Sequence, residues 1–453
     1  MISVDKEVAQ FASWPTRDRI RALKRIIPRA DVEAVLASCG RAEGFCRRLP
    51  GWFMIWFVIA LGLFCRDSYR QVFRWLQPYR RDGTPGRSTL CEARKRLGLA
   101  PFLALAKVVV RLLCTPDVPG AFYRGMRLMA IDGFVLDLPD TPENERVFGR
   151  PGGRAPGAFP QARVLALCET GSHVLWRWLI KSIHIGEVTI AHRLLRSLEE
   201  GMLLLWDRGF FSYQTIREVL DRQSQLLARV KNGLIFQPLR TLSDGSYLAK
   251  VYLSARHRRK DQDGIEVRII EYTFDDAGRP GNKLMHRLLT TLLDEILDPA
   301  VTLIELYHER WEEELTIDEL KTHQRERPVL RSQTAIGVLQ EICGLLLGHY
   351  AVRVLIHEAA AQKGIDPQRI SFINTLKILR CRLPGCPKSC RGLREWYKAL
   401  LEEIGEEILP ARRNRINPRV IKRQVSRWEK KKPEHRHYPQ PAKEFRPAIV
   451  LLR

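Results

Sequence analysis

Tyr307-His-Glu-Arg-Trp-Glu-Glu-Glu-Leu-Thr-Ile-Asp-Glu-Leu-Lys321 is the segment of this sequence whose spacing says most about fold and function. It contains neither Pro nor Gly and consists largely of helix-forming residues, so it is predicted to be one α-helix of about four turns. At about 100° per residue, five of its side chains share one narrow stripe of that helix. They are Tyr307, Arg310, Glu314, Asp318 and Lys321.

Two interpretations of this stripe are open. One is a solvated helix face that carries ordinary ion pairs between residues three or four apart. The other is a site that grips a phosphate beside a divalent metal ion, because the stripe combines a phenol, a guanidinium, carboxylates and an ammonium. Glu314 and Asp318 stand one turn apart with like charge, which is unfavourable unless a cation lies nearby. That repulsion favours the metal site.

Two aspartates upstream supply the further carboxylates that such a site needs. The apolar run Leu128–Ile131 is predicted to be a strand that delivers Asp132 just before a Gly, and the run Met202–Trp206 is predicted to be a buried strand that ends on Asp207. A single Asp after a strand more often belongs to a turn or a helix cap. The evidence is therefore the set of carboxylates and not either residue alone.

These motifs resemble those of the DDE transposases of the insertion-sequence-four family. The spacing Tyr-x2-Arg-x3-Glu-x6-Lys is intact from Tyr307 to Lys321, and the stretches Ile131-Asp-Gly and Asp207-Arg-Gly-Phe are similar to the family's first and second acidic motifs. The resemblance covers nearly the whole chain, from about Val32 to a basic C-terminal tail.

The resemblance implies a ribonuclease-H-like core whose three carboxylates hold two Mg²⁺ ions, with Mn²⁺ as a substitute, for in-line displacement at phosphorus. These catalytic ligands would be Asp132, Asp207 and Glu314. It also implies three contacts to the terminal phosphate of the transposon end, from Tyr307, Arg310 and Lys321. The expected partners are the inverted repeats of its own element, target DNA and a second copy of the chain in a homodimer. The expected activity is Mg²⁺-dependent cleavage and strand transfer.

Two other functions stay open at this point. A Mg²⁺-dependent, structure-specific nuclease without strand transfer would use the same three carboxylates, and only a joining assay separates it from a transposase. An inactive DNA-binding relic is disfavoured because all three carboxylates are intact.

The sequence departs from the family pattern in two respects. Relatives that form DNA hairpins stack a flipped base on a Trp in a β-rich insertion, but this chain has no Trp between Trp206 and Trp311. The aromatic alternatives for base stacking are Phe236, Tyr247 and Tyr252. Phe134 stands where relatives usually carry a small polar residue.

The charge balance independently indicates a nucleic-acid partner. The chain of 453 residues has 75 Lys and Arg against 51 Asp and Glu, a formal net charge of +24. Residues 411 to 437 hold eleven Lys or Arg and two Glu in a stretch interrupted by Pro, which is typical of a basic arm lying on the DNA backbone.

The N-terminal part is predicted to be helical. A helix over Thr89–Leu97 begins with a capping-box pattern, is followed by Gly98 and carries three consecutive cations, Arg94, Lys95 and Arg96. A helix-turn-helix-like reader of the terminal repeats would contain such a helix. An ordinary surface helix of a scaffold domain is the alternative interpretation.

The predicted fold class is α/β, a ribonuclease-H-like mixed sheet flanked by helices. The predicted organisation is a helical DNA-binding domain at 1–125, a catalytic core at 126–232 and 299–409, a β-rich insertion at 233–298 and a basic tail at 410–453. The apolar run Gly51–Cys65 is shorter than the roughly 20 residues that span a bilayer. No secretion signal is recognised and the ten cysteines are scattered, so we expect a bacterial cytoplasmic, nucleoid-associated protein with reduced thiols and no membrane partner.

Overall fold

The structure is a computed structural model that describes residues 23–42, 49–76, 83–152, 157–308, 311–387, 390–410, 420–421 and 429–452. The chain divides into two compact units, each made of three stretches of sequence. The first unit contains the described residues of Met1–Phe122, Ile131–Ile190 and Glu312–Leu409. The second unit contains those of Tyr123–Ala130, Ala191–Trp311 and Pro410–Arg453.

The helices in chain order are α1 (Arg29–Ser38), α2 (Gly51–Leu63), α3 (Tyr69–Leu76), α4 (Arg87–Leu97), α5 (Ala100–Val109), α6 (Pro142–Phe148), α7 (Glu187–Leu194), α8 (Tyr213–Leu220), α9 (Ala255–Arg259), α10 (Ala300–His308), α11 (Trp311–Asp318), α12 (Ala335–Lys363), α13 (Phe372–Arg382) and α14 (Cys390–Glu406). The strands are β1 (Phe122–Tyr123), β2 (Met126–Asp137), β3 (Gln161–Glu169), β4 (Val174–Ser182), β5 (Met202–Trp206), β6 (Gln225–Arg229), β7 (Arg240–Thr241), β8 (Tyr247–Val251), β9 (Ile265–Phe274), β10 (His286–Thr290), β11 (Val420–Ile421), β12 (Glu429–Lys430) and β13 (Ile449–Leu451).

The predicted mixed sheet flanked by helices is confirmed. In the first unit, the strands are hydrogen-bonded in the order β4, β3, β2. In the second unit the order is β2, β5, β6, β10, β9, β8, β7, and β2 contributes residues to both units. β5 and β6 are parallel and are joined through α8, whereas β10 pairs antiparallel with β6 and with β9.

The first unit is built around the helix α12. Its 29 residues are long and apolar enough to cross a bilayer, but 89% of its most apolar window is buried inside the protein. It is therefore a core helix, and the apolar helix α2 packs against it. Gly62 of α2 and Gly344 of α12 lie at the point of closest approach, where a Cβ on Gly62 would stand 2.2 Å from the carbonyl oxygen of Gly344. Glycine is required there because the two backbones touch.

The predicted boundary at residue 125 implied that the N-terminal helices form a separate domain. In the structure they are part of a larger compact unit. α1 to α5 belong to the first unit together with α12. The predicted helix over Thr89–Leu97 is confirmed as α4, which begins two residues earlier, at Arg87, and is followed by Gly98, whose φ is 72°. A positive φ at the helix end is the conformation that favours glycine. The predicted capping box is wrong, because the N-cap residue is Gly86 and no side chain caps the helix.

The predicted β-rich insertion continues the sheet of the second unit. A turn at Asp244-Gly245 joins β7 and β8, and β8 pairs antiparallel with β9. The last strand, β13, also pairs antiparallel with β9. The predicted tail therefore includes a segment that joins the sheet, while most of 411–437 lies outside the described residues.

Candidate active site

Asp132 belongs to the first unit and lies within β2, not after it. The predicted strand ended at Ile131, but β2 continues to Asp137, because Phe134 and Leu136 carry its buried face onward. These two side chains join a core cluster that also contains Leu320. Alternate residues of a strand share a face, so Asp132 projects on the side where that cluster lies. Phe134, the departure from the family pattern, is thus a core residue.

The carboxylate of Asp132 is partly exposed, and its Oδ1 accepts a hydrogen bond of 2.7 Å from the backbone N–H of Gly133. A Cβ on Gly133 would lie 2.9 Å from Oε1 of Glu187, the first residue of α7. The glycine therefore makes room for a neighbouring carboxylate on the opposite face of β2.

Glu314 also belongs to the first unit, on the helix α11, and is partly exposed. Two residues further along, the buried Thr316 accepts a hydrogen bond of 3.7 Å from the Cys168 thiol of β3. Leu320 follows in the core cluster. Contacts to the sheet on one side therefore hold the helix that carries Glu314.

The predicted single α-helix is interrupted after Asp318. Residues Glu319–Gln324 form a π-helix, whose wider turns shift every later side chain relative to an α-helical stripe. Gln324 anchors this segment, because its amide Nε2 donates hydrogen bonds to the carbonyl oxygens of Gly62 at 3.0 Å and of Leu345 at 2.9 Å. The π-helix is thus fastened to the crossing of α2 and α12. Single π turns within helices are frequent at functional sites.

Lys321 lies in this π segment and is half-buried. Burial lowers the pKa of its ammonium and so does Arg325, while three carboxylates oppose that shift, those of Asp137, Asp318 and Asp132. Lys321 therefore lies in surroundings of mixed charge, and of the three carboxylates Asp132 contributes least to its pKa.

A buried ionic cluster supports the same segment, and the sequence analysis missed it. Glu319 is surrounded by Arg353, His173 and His349, and all four side chains are buried or nearly so. Arg353 Nε donates to Glu319 at 3.0 Å, and His173 Nδ1 and His349 Nε2 each lie 3.2 Å from a Glu319 oxygen. Burial alone would raise the pKa of Glu319, but Arg353 and His173 hold it well below its usual value. We find no sequence signal for this cluster, because its members are far apart in the chain.

In the second unit, Asp207 directly follows the buried strand β5, as predicted. Its carboxylate is partly exposed, whereas all five residues of β5 are buried. Tyr307 of α10 is also buried, and its hydroxyl donates a hydrogen bond of 3.2 Å to the carbonyl oxygen of Trp206. In this structure, Tyr307 therefore supports the end of the strand that carries Asp207, rather than lying on an exposed stripe.

The remaining predicted DNA contacts have different outcomes. Arg310 lies outside the described residues. Arg94 is only 3% exposed, and its guanidinium donates to Tyr69, to Gln340 and to the carbonyl oxygen of Gly337. The prediction that Arg94 contacts DNA is wrong for this structure, because its donors are used inside the first unit. Lys95 and Arg96 are exposed, although Lys95 pairs with Glu92 and Arg96 donates to Leu49.

The aromatic alternatives for base stacking are all in contact with other residues. Tyr247 donates to Glu271 at 3.1 Å, and burial raises the pKa of its phenol to about 12. Tyr252 donates to Asp261 at 2.6 Å. Phe236 is partly exposed and packs edge-on against Phe211, with ring centres 6.2 Å apart. The guanidinium carbon of Arg287 also lies over the Phe236 ring, 5.7 Å from its centre.

The carboxylates suit a hard divalent cation, because Asp and Glu oxygens are the ligands that Mg²⁺ and Mn²⁺ prefer. Asp132 and Glu314 belong to the first unit and Asp207 to the second. Across the described part of the chain, no three His, Cys, Asp or Glu side chains are grouped closely enough to hold a metal ion. The donor chemistry of the three carboxylates therefore fits a hard divalent metal ion.

Comparison with known proteins defines the class. The family described as "Transposase DDE domain" matches residues 123–350, which contain Asp132, Asp207 and Glu314. The chain is a DDE transposase, an enzyme that cleaves DNA and transfers strands. The family described as "Insertion element 4 transposase N-terminal" matches residues 17–107. The chain thus belongs to the insertion-sequence-four family of bacterial transposases.

One relative and one solved structure show how far the similarity extends. The "Transposase InsG for insertion sequence element IS4" of Escherichia coli (strain K12) is 29% identical over 402 residues, covering 86% of this chain and 89% of that protein. A cryo-EM structure of the piggyBac transposase synaptic complex with hairpin DNA aligns with 87% of this chain and 85% of its own. Its TM-score is 0.44 at 12% sequence identity, and a likeness at that level supports no conclusion about function.

Proposed function

We propose that Asp132, Asp207 and Glu314 are the catalytic metal ligands of this transposase and that they hold two Mg²⁺ ions. The proposal is supported by their order within the matched DDE domain and by the partial exposure of all three carboxylates. Bound there, the ions would activate the attacking hydroxyl and stabilise the departing oxygen in an in-line displacement.

The observation that carries the proposal is the intact spacing from Tyr307 to Lys321 inside the matched DDE domain, which also contains both aspartates. Within it, Lys321 would hold the terminal phosphate of the transposon end as a point charge. Arg310 would add a bidentate contact to the same phosphate, as its place in the signature indicates.

Tyr307 would act first as a positioning residue. Its hydroxyl supports the Trp206 carbonyl, and this contact orients the end of β5 and with it Asp207. The phosphate contact predicted from the family signature requires this hydroxyl to leave or share its backbone partner. The effect of removing the hydroxyl separates these two roles.

The substrates that we propose are the inverted repeats of the protein's own element and target DNA, brought together by a homodimer in the bacterial cytoplasm. The net charge of +24 supports strong, salt-dependent attraction to DNA phosphates. The signature residues act on a DNA end, and joining two ends requires two copies of such a site.

A labelled duplex that carries the element's end tests the function. Incubation with Mg²⁺ should produce cut and joined species of defined size, and incubation without a divalent ion should produce neither. Nicked or cut product without any joined product would instead indicate a nuclease. Binding without cleavage under all metal conditions would indicate an inactive relic.

A further inference from the structure

The connection between β8 and β9 carries a concentrated run of exposed positive charge. We call α9 and the lysine after it, residues 255–260, the basic helix; its sequence is Ala-Arg-His-Arg-Arg-Lys. Ser254 caps it, since the serine Oγ accepts from the backbone N–H of His257 at 3.4 Å. Arg256, Arg258, Arg259 and Lys260 are all exposed.

These four cations have no carboxylate partner in the part of the chain that the structure describes. Among the described residues, none of them has a carboxylate oxygen within the 4.0 Å that defines an ion pair. The nearest acid in sequence is Asp261, and it is already bound by Lys250 at 2.8 Å and by Tyr252 at 2.6 Å. Asp261 therefore does not neutralise the basic helix.

The arrangement is unfavourable for an isolated protein. Arg256 shares a helix face with Arg259 and Lys260, which follow it at three and four residues, and like charges at that spacing repel each other. An ordinary solvated face would mix both signs, as α14 does with its pairs Arg391–Glu395 and Lys398–Glu402. The basic helix thus lacks the compensation that other exposed helices of this chain have.

The loop that carries the basic helix is nevertheless held in place. The hydroxyl of Tyr213, at the start of α8, donates a hydrogen bond of 2.8 Å to the carbonyl oxygen of Asp263. Lys250 and Tyr252 of the β8 end hold Asp261 on the other side of the turn. The cations are therefore presented from a fixed base, which lowers the entropy lost when they bind a partner.

We propose that the basic helix is a DNA-backbone contact of the second unit, separate from the signature residues and from the basic tail. Rows of unpaired Arg and Lys are complementary to the phosphates of duplex DNA, which such side chains contact without reading the base sequence. The proposal rests on the proposed function and adds a place where the protein grips the duplex. Its role is affinity and orientation, not catalysis.

The test compares two variants of the full-length protein that each lose three positive charges. One carries Arg256→Gln, Arg259→Gln and Lys260→Gln. The control carries Arg217→Gln, Arg391→Gln and Lys398→Gln, three exposed cations that are each paired with a carboxylate one turn further along a helix. The measurement is binding to a random-sequence duplex of about 30 base pairs between about 50 and 200 mM salt, with Tm measured in parallel.

The basic-helix variant should bind at least about tenfold more weakly, and its slope of log K against log salt should fall by about 0.9 for each lost phosphate contact. Its Tm without DNA should stay the same or rise, because like-charge repulsion is removed. A slope and affinity equal to those of the control would overturn the proposal. If the wild type itself fails to bind duplex DNA, the proposed function falls as well, so the two failures are distinguishable.

A second measurement uses the unmodified protein. Saturating duplex DNA should protect Lys260 from reductive methylation, while Lys398 on α14 stays reactive. Equal reactivity of Lys260 with and without DNA would contradict the contact, whatever the variants show.

Discussion

The two compact units support their candidate catalytic residues by different means. In the first unit, Glu314 precedes a π segment that contains Lys321, and this segment is anchored by a buried carboxylate, Glu319, with three buried basic partners. In the second unit, Asp207 follows a strand whose five residues are all buried and is supported by one tyrosine hydrogen bond. One support is polar and specific in geometry, and the other is mainly apolar.

This difference predicts how much stability each unit loses when one supporting contact is removed. A buried carboxylate is tolerable only while its cation and hydrogen-bond donors stay in place, so loss of one member leaves an uncompensated charge. An apolar strand distributes its stabilisation over many contacts, so loss of one hydrogen bond is a small change. We therefore expect a single substitution in the polar cluster of the first unit to cause a large loss of stability. Loss of the one hydrogen bond beside Asp207 in the second unit should cause a small loss.

The largest expected effect is on cleavage, and it tests whether the candidate ligands of the two units are equally necessary although they are supported differently. Asp132→Ala and Asp207→Ala should each reduce Mg²⁺-dependent cleavage of end DNA at least about 1,000-fold, or about 4 kcal/mol of transition-state stabilisation. Glu314→Ala should behave alike. Sized cleavage products give the rate, and a binding assay should show nearly unchanged affinity for DNA. Retained cutting by any one variant would remove that residue from the set of metal ligands.

The next effect concerns the polar support itself. Glu319→Gln should lower the free energy of unfolding by about 3–5 kcal/mol, because Arg353 then lies buried without a counter-charge. The control is Glu395→Gln, which breaks the exposed pair with Arg391 and should cost at most about 1 kcal/mol. Urea unfolding of both variants provides the comparison. Similar losses in the two variants would show that the Glu319 cluster is not a special support.

The same cluster predicts a pH dependence. The pKa of Glu319 is lower in the folded protein than its value of 4.5 for an unperturbed carboxyl. A lowered folded pKa stabilises the protein above the unfolded pKa, and this stabilisation is lost as the pH falls through the folded value. Burial lowers the pKa of His349 below 6.5. The stability linked to the neutral form of His349 therefore also decreases as the pH falls below this value. Wild-type stability should therefore decline more steeply with acid below about pH 4.5 than that of Glu319→Gln. Parallel curves would contradict the assignment.

A smaller effect is expected at the helix crossing to which the π segment is fastened. Gly344→Ala should destabilise the protein by about 1–3 kcal/mol, since its Cβ would stand 2.4 Å from the Val58 carbonyl oxygen. Gly348→Ala on the same helix meets Nε2 of Gln324 at 3.2 Å and should cost less than Gly344→Ala, because the contact is longer and alanine's better helix propensity offsets part of it. Thermal unfolding of the two variants decides. Equal losses of stability in the two variants would show that α2 and α12 move apart enough to accept a methyl group at Gly344.

The smallest effect is expected in the second unit. Tyr307→Phe removes the hydrogen bond to Trp206 and should cost about 1 kcal/mol of stability, with cleavage reduced only a few-fold. Unfolding and cleavage are measured on the same preparation. A loss of strand transfer far greater than the loss of stability would show that the hydroxyl also binds the transposon phosphate, and the single-contact view of this support would then be incomplete.

Particular residues show how far prediction from the sequence reached. Asp207 was placed correctly because a short buried strand has clear ends. Asp132 was placed at a strand end, whereas β2 continues through it, because the alternation that resumes at Phe134 is interrupted by Gly133. The basic residues of α4 were predicted as a DNA surface, but Arg94 is used inside the unit. A cation's exposure depends on what packs over its helix, and its own helix does not determine that.

The sequence by itself determined the family, the order of the three proposed catalytic carboxylates and the helical nature of the signature segment, because motif spacing and residue chemistry are local properties. Only the tertiary structure decided that this helix becomes a π-helix at Glu319, that Gln324 and Glu319 fasten it to α2, α12 and His173, and that Tyr307 is buried beneath β5. The physical reason is that each of these features depends on partners far away in the chain. The free energy of burying a charge or an amide is set by those partners, and no local pattern records them.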